Sequence, residues 1–210
     1  MIEVISGMLP GESPLLEQAF RLRHQIFVND MHWEPLRRAD GREIDQFDDI
    51  DATHFLSVSD GKVLGYFRSR PTSTPHLLSE IHWHLCERQY QHSLRILEWT
   101  RYCVVPAQRE GTAFGGVGSE LIVGGMEWCL RRDIHDVVLE YHPSWITRFM
   151  GLGFKVQPLG LPDEIAGDPV IAVHMQFDER ALQRTRSARN VFHPVLAEDF
   201  LAPAARQSVA

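Results

Sequence analysis

The dipeptide Asp60-Gly61, set between HFLSVS and KVLGYFRSR, restricts the fold of this chain more than any other feature. A two-residue turn that suits right-twisted strands needs positive φ at both central residues, and Asp-Gly adopts it at low cost, so an antiparallel hairpin is predicted here. LEWTRYCVVP at 97–106 reads as a central strand ending at a proline, DVVLEY as a short buried strand and VIAVHMQF as a last strand. Between them the spacing of apolar residues predicts helices over 14–28, opening on the cap Ser13-Pro14, over 115–132, from Pro143 to near Gly151 and Gly153, and near 179–189. The acid-rich stretch 29–53 has no sustained periodicity and reads as a long ordered loop. This order predicts an α/β fold, a single-domain α-β-α sandwich built on one mixed sheet with helices on both faces. Residues 1–190 are read as the domain and 191–210, polar and then small, as a C-terminal tail with a frayed end.

With 210 residues, 44% of them apolar, the chain can bury the core of one domain and is too short for two full-sized ones. A net charge of −7 argues against a nucleic-acid binder that works by neutralising phosphates. No window approaches 18 uninterrupted apolar residues and no basic, apolar leader opens the sequence, so neither a membrane span nor secretion is expected. Cys86, Cys103 and Cys129 have no metal-like or CxxC spacing and read as reduced thiols of a cytoplasmic protein. His82 and His84 lack a third ligand at a convincing spacing, so no metal is expected. Cys103 reads as a small buried hydrophobe.

Charge in apolar places marks the candidate site. Arg23 sits on the helical stripe Leu16, Phe20, Arg23, Phe27, where a buried guanidinium requires carboxylate partners, above all Asp45 and Asp48, or Glu98. Its alternative is a stem that snorkels to water. Glu98 and Arg101 lie within the central strand, and their spacing of three puts them on opposite sheet faces unless a bulge intervenes or Glu98 stands at the strand's entrance. Arg68 adds a third arginine from the hairpin, and a structural ion-pair network would use the same residues. Gln108 to Ala113, between strand and helix, has the spacing of a loop that holds a pyrophosphate, or is a plain connection.

RHQIF at 23–27, Trp33, GREIDQFD at 41–48, GYFRSRPT and EWTRYCVVP occur in the order found in the acyl-homoserine lactone synthases, the autoinducer synthases of bacterial quorum sensing, which this sequence resembles over about half its length. The resemblance implies a GNAT-like sheet whose central strands splay to admit a pantetheine arm. It implies condensation of S-adenosylmethionine (SAM) with an acyl thioester, then lactone closure and release of methylthioadenosine, with both molecules as substrates and no cofactor. On this reading Glu98 takes the amine's proton. Phe27, Trp33, Asp45 and Asp48 attract the sulfonium cation, and Arg23, Arg68 and Arg101 orient carboxylates. Trp99, Tyr102, Met126, Leu139, Tyr141, Trp145 and Phe149 are expected to line the acyl tunnel, and their alternative is ordinary core. Leu139 stands where relatives that favour 3-oxo chains have threonine, and so many rings point to a short, branched or aryl acyl group. QPLGLPDEIAG at 157–167 and Glu140 resemble the subgroup that takes branched or aryl acyl-CoA. Other relatives use acyl carrier protein, an acidic partner for which Arg131, Arg132, Arg148 and Lys155 are the candidate patch. The competing readings are a GNAT-like acyltransferase acting on another amine, and a non-catalytic module that binds acyl-CoA or SAM.

Overall fold

A computed structural model describes residues 1–108 and 116–196. Strands β1 (Ile2–Ser6), β2 (Thr53–Ser59), β3 (Lys62–Pro71), β4 (Ile96–Val104), β5 (Asp136–Tyr141), β6 (Lys155–Pro158), β7 (Asp163–Ile165) and β8 (Asp168–Gln176) form an eight-stranded sheet in the order β1-β2-β3-β4-β5-β8-β6, with β7 also on β8. The helices are α1 (Pro14–Arg23), α2 (Leu77–Glu80), α3 (Val117–Leu130), α4 (Ile146–Gly151) and α5 (Glu179–Arg189). The hairpin forms as predicted, with Asp60 and Gly61 at φ 50° and 71°. The three strands missed by periodicity, β1, β6 and β7, are short edge pieces of three to five residues.

Every neighbouring pair is antiparallel except β4 and β5, and this one parallel seam positions the site. Pairing runs from Ile96–Asp136 to Trp99–Leu139 and then stops, while β4 continues to Val104 and β5 to Tyr141. The two strands splay from that point. The sheet also separates two environments. Beneath one face α3, α4 and α5 pack a core that includes Phe55, Phe67, Leu121, Met126, Val137 and Val173. On the other face α1 and the loop before β2 cover Leu56, Tyr66 and Cys103, and α2 covers Ile96 and Val138.

Two sequence expectations need correction. The helix predicted over 14–28 is α-helical only to Arg23 and then widens into a π-helical segment, His24–Asp30, in which Met31 N–H donates to the Ile26 carbonyl. Such a widened turn rotates the side chains that follow it and is frequent at functional sites. The tail boundary at 190 falls inside packed structure, because Val191, Val195 and Leu196 are buried and Ile2 N–H donates to the Val195 carbonyl at 2.6 Å. The edge strand β1 gains a partner this way. The start of the helix predicted from Gly115, most of the Gln108–Ala113 loop and the frayed end beyond Leu196 lie outside the described residues.

Candidate active site

Arg23, Arg68 and Arg101 do not act as three separate cations. Arg23 donates to Glu43 at 2.5 Å and to Asp48 at 2.7 and 3.0 Å. Arg68 donates to Asp48 at 2.8 Å and to Asp45 at 2.5 and 3.0 Å. Arg101 completes the circuit, to Asp45 at 2.9 Å and to Glu43 at 3.3 Å. The result is a closed ring of alternating charge, Arg23, Asp48, Arg68, Asp45, Arg101 and Glu43, whose members balance to zero. The side chains of Arg23, Glu43, Asp48 and Arg68 are fully buried. Burial alone would raise the Asp45 and Asp48 carboxyls, but the facing guanidiniums outweigh it, lowering Asp45 and holding Asp48 well below the usual carboxylate range. Snorkelling of Arg23 is thereby excluded. Its predicted partner Asp48 is present, Asp45 serves the other two arginines instead, and Glu43 is the member that sequence reasoning missed. Glu43 alternates with Asp45 in GREIDQFD, a spacing that could have flagged it.

Arg101 reaches this ring through a defect in the sheet. Against β3 the register jumps between Tyr66, which pairs with Cys103, and Arg68, which pairs with Thr100, so Arg101 and Tyr102 share the space opposite Phe67. Arg101 takes φ 60°, uncommon for a side chain of this size. This bulge swings Arg101 onto the face that holds Glu98 and Thr100, and so meets the condition that a shared site required. Arg70, also missed, leaves the ring aside and ties Asp49, Phe47 and Pro75 to β3.

Glu98 lies across the sheet from Arg70, 1% exposed, and among the described residues it pairs with no cation. Its two oxygens accept from the Leu77 and Leu78 amides at 2.9 and 2.8 Å at the start of α2. Burial pushes its carboxyl up, the two amides and Arg68 pull it down, Glu140 adds like charge, and it rests at about 7. A carboxyl poised there near neutrality can exchange a proton at little cost. Beside the ring Phe27 and Trp33 stack at 5.1 Å, with the Arg101 guanidinium 5.8 Å from the Phe27 centroid. The π-helical segment and the Trp33 N–H bond to the Phe27 carbonyl hold this pair.

The proposed acyl residues sit beneath the opposite face. Trp99, Met126, Leu139, Tyr141 and Phe149 share one apolar cluster, with Trp145 against Phe149 at 6.1 Å. The Trp99 indole nitrogen is buried there without a hydrogen-bond partner among the described residues. Tyr102 departs from the expectation: it is 48% exposed and stands outside the cluster, because the bulge at Arg101 turns it outward. Gly125 on α3 leaves room for these rings, since a Cβ there would meet Phe67 at 2.7 Å and Trp99 at 3.2 Å. His82 caps, and His84 lies within, a 3-10 turn (Trp83–Leu85) rather than a strand, His82 held by Glu140 at 2.7 Å and His84 facing Asp163 at 3.9 Å. Arg132 and Arg148 lie over Trp128 and Trp145.

The gap between β4 and β5 therefore joins a polar face, with the amide-held carboxylate of Glu98 beside a charge ring, to an aromatic face. Residues 9–185 match the family model described as autoinducer synthase. An isovaleryl-homoserine lactone synthase of Bradyrhizobium diazoefficiens is 42% identical over 149 residues, 70% of this chain and 66% of that protein's length. The solved CoA-dependent acyl-homoserine lactone synthase BjaI, with SAM and isopentyl-CoA, superposes with a TM-score of 0.84 at 35% identity, covering 94% of this chain and 92% of that one. A putative N-acetyltransferase from Lactobacillus plantarum shares the fold alone, at 20% identity and a TM-score of 0.52, over 83% of this chain and 97% of that one. The chain belongs to the autoinducer synthase family.

Proposed function

We propose that this acyltransferase condenses SAM with an acyl-CoA to form an acyl-homoserine lactone, a quorum-sensing signal, with Glu98 receiving the amine's proton. The observation that carries the proposal is the placement of Glu98. It is a buried carboxylate at the opening between β4 and β5, without a cation partner among the described residues, with a pKa near neutrality, and next to a site built to hold a charged substrate. The amine of SAM attacks the thioester carbonyl, the C–S bond breaks, and the thiolate leaves with one proton. The carboxylate of SAM then displaces the sulfonium, closing the lactone and freeing methylthioadenosine.

Asp48 and Arg23, fully buried, act as framework. Asp45 and Arg101, on the open side of the ring with side chains 15% and 8% exposed, are the members within reach of substrate. The stacked Phe27 and Trp33 offer ring faces to the sulfonium, whose permanent charge aromatic quadrupoles attract. The acyl group lies among Trp99, Met126, Leu139, Tyr141, Trp145 and Phe149, where four aromatic side chains leave space for a short, branched or aryl chain. Acyl-CoA is the proposed donor, supported by the likeness to BjaI, and acyl carrier protein is the alternative. Among the described residues no helix is long and apolar enough to cross a membrane, and the proposed location is the cytoplasm, where both substrates occur.

The reading is tested with purified protein, SAM and a panel of acyl-CoA and acyl carrier protein thioesters, with methylthioadenosine release and the mass of the lactone as readouts. Acylation of another amine without methylthioadenosine would overturn it. Two further outcomes are expected. Because Glu98 must be ionised to accept a proton and holds its own near pH 7, kcat should fall about tenfold per unit as pH drops below 7, measured by methylthioadenosine release from pH 5.5 to 8.5. Gly125→Ala forces Phe67 and Trp99 to move, at about 1–3 kcal/mol of overpacking. It should raise KM for acyl-CoA several-fold and leave KM for SAM unchanged, checked by steady-state kinetics.

A further inference from the structure

The condensation leaves a proton to be disposed of. An ammonium brings three N–H protons, the amide keeps one and the departing thiolate takes one, so one proton must leave a site whose acceptor, Glu98, is almost wholly buried. Glu140 lies two residues beyond Val138, the cross-strand partner of Glu98, and therefore on the same face of the sheet at the mouth of the splay. One of its oxygens accepts from His82 Nδ1 at 2.7 Å. The other, Oε1, is buried and without a hydrogen-bond partner among the described residues. A carboxylate oxygen removed from water is costly unless a donor reaches it. From here exposure rises step by step. The Glu140 side chain is 12% exposed, His82 19%, and His84, its ring 5.9 Å from that of His82, 36%.

We propose that Glu140 and His82 form the proton outlet of this site: Glu140 Oε1 takes the released proton from Glu98 through solvent in the gap, and His82 passes it to bulk water. The proposal rests on Glu98 as the proton acceptor. The other titratable groups around this path are unsuited to the task. Cys86 and Tyr90 are pushed up by burial and stay protonated at neutral pH. His76 is engaged with Tyr90 and the Thr74 carbonyl, and His92 with the Thr72 carbonyl. The Arg68 guanidinium is spent on Asp45, Asp48 and Thr100. Asp163 flanks His84 at the outer end. In the released state Glu140 is the carboxylate and His82 the donor to it. After transfer the proton resides on the pair until His82 gives it up.

The test is steady-state methylthioadenosine release by Glu140→Gln and His82→Gln at saturating SAM and acyl-CoA, in dilute buffer and with added imidazole at constant ionic strength. Circular dichroism checks that each variant is folded. Both substitutions keep side-chain volume or polarity while removing the proton acceptor. In dilute buffer kcat should fall roughly tenfold or more, with both KM values unchanged, and imidazole should restore most of the loss. Unchanged kcat in dilute buffer, or a loss that imidazole does not relieve, would overturn the outlet. The two readings fail separately: an active Glu98→Gln enzyme removes the base, whereas a dead Glu98→Gln enzyme beside a normal, buffer-independent Glu140→Gln enzyme removes the outlet alone.

Discussion

Replacing Arg23 by alanine is expected to lower the unfolding free energy by about 3–5 kcal/mol, the cost of leaving a buried charge without its partner. Glu43 and Asp48 would both lose their shortest contacts, and neither side chain has any exposure through which water could compensate. Urea unfolding followed by circular dichroism should show the midpoint falling with little change in slope. The ring makes a second statement testable. Pairing Arg23→Ala with Glu43→Gln restores charge balance, so the double variant should be more stable than the sum of the single losses implies, a coupling readable in a double-mutant cycle. Acid reaches the same ring by another route. Asp45 and Asp48 are held below their unfolded pKa, so their stabilisation is fully present above about pH 4 and is lost as pH falls through their folded values. An Arg23→Ala protein with unchanged midpoint would mean that the ring contributes no net stability.

The order of elements and the existence of a polar site were legible because they leave local marks. Asp60-Gly61 sets a turn by its own φ preferences, the apolar run in DVVLEY carries Val137 and Val138 into the core, and an arginine on the stripe of α1 cannot go unpaired. Pairing within the site was only half legible, since which acid meets which arginine depends on the path of 31–52 rather than on spacing. Hence Asp48 was foreseen for Arg23 and Glu43 was not. The bulge at Arg101 leaves no sequence mark of its own. Two charges three apart in a strand demanded some irregularity, but only the register against β3 shows that Arg101 turns inward and Tyr102 outward. The short edge strands were illegible for the opposite reason: β7, Asp163–Ile165, is mostly polar and is a strand only because β8 is beside it.

Glu98→Gln is expected to reduce kcat by about 10²–10⁴-fold, the usual worth of a positioned general base, with the fold retained. Glutamine matches the volume of glutamate but offers one oxygen where two are used, so one of the Leu77 and Leu78 amides loses its acceptor at a cost of about 1–3 kcal/mol. Against that, the substitution removes a carboxylate that the fold disfavours. The Glu98 pKa is raised in the folded protein, so its ionisation costs stability as pH rises from its unfolded value near 4.5 toward 7 and beyond. The two effects oppose each other at pH 8, and Tm there should change little. Activity has no such offset, because a neutral amide cannot take a proton. Methylthioadenosine release by the variant should therefore lose its acid limb near pH 7 along with most of its rate, while SAM affinity, which the proposed function assigns to the charge ring and the Phe27–Trp33 stack, should stay within a few-fold of the parent. Near-normal kcat in a folded Glu98→Gln protein would remove Glu98 from the chemistry and leave it as the anchor of α2.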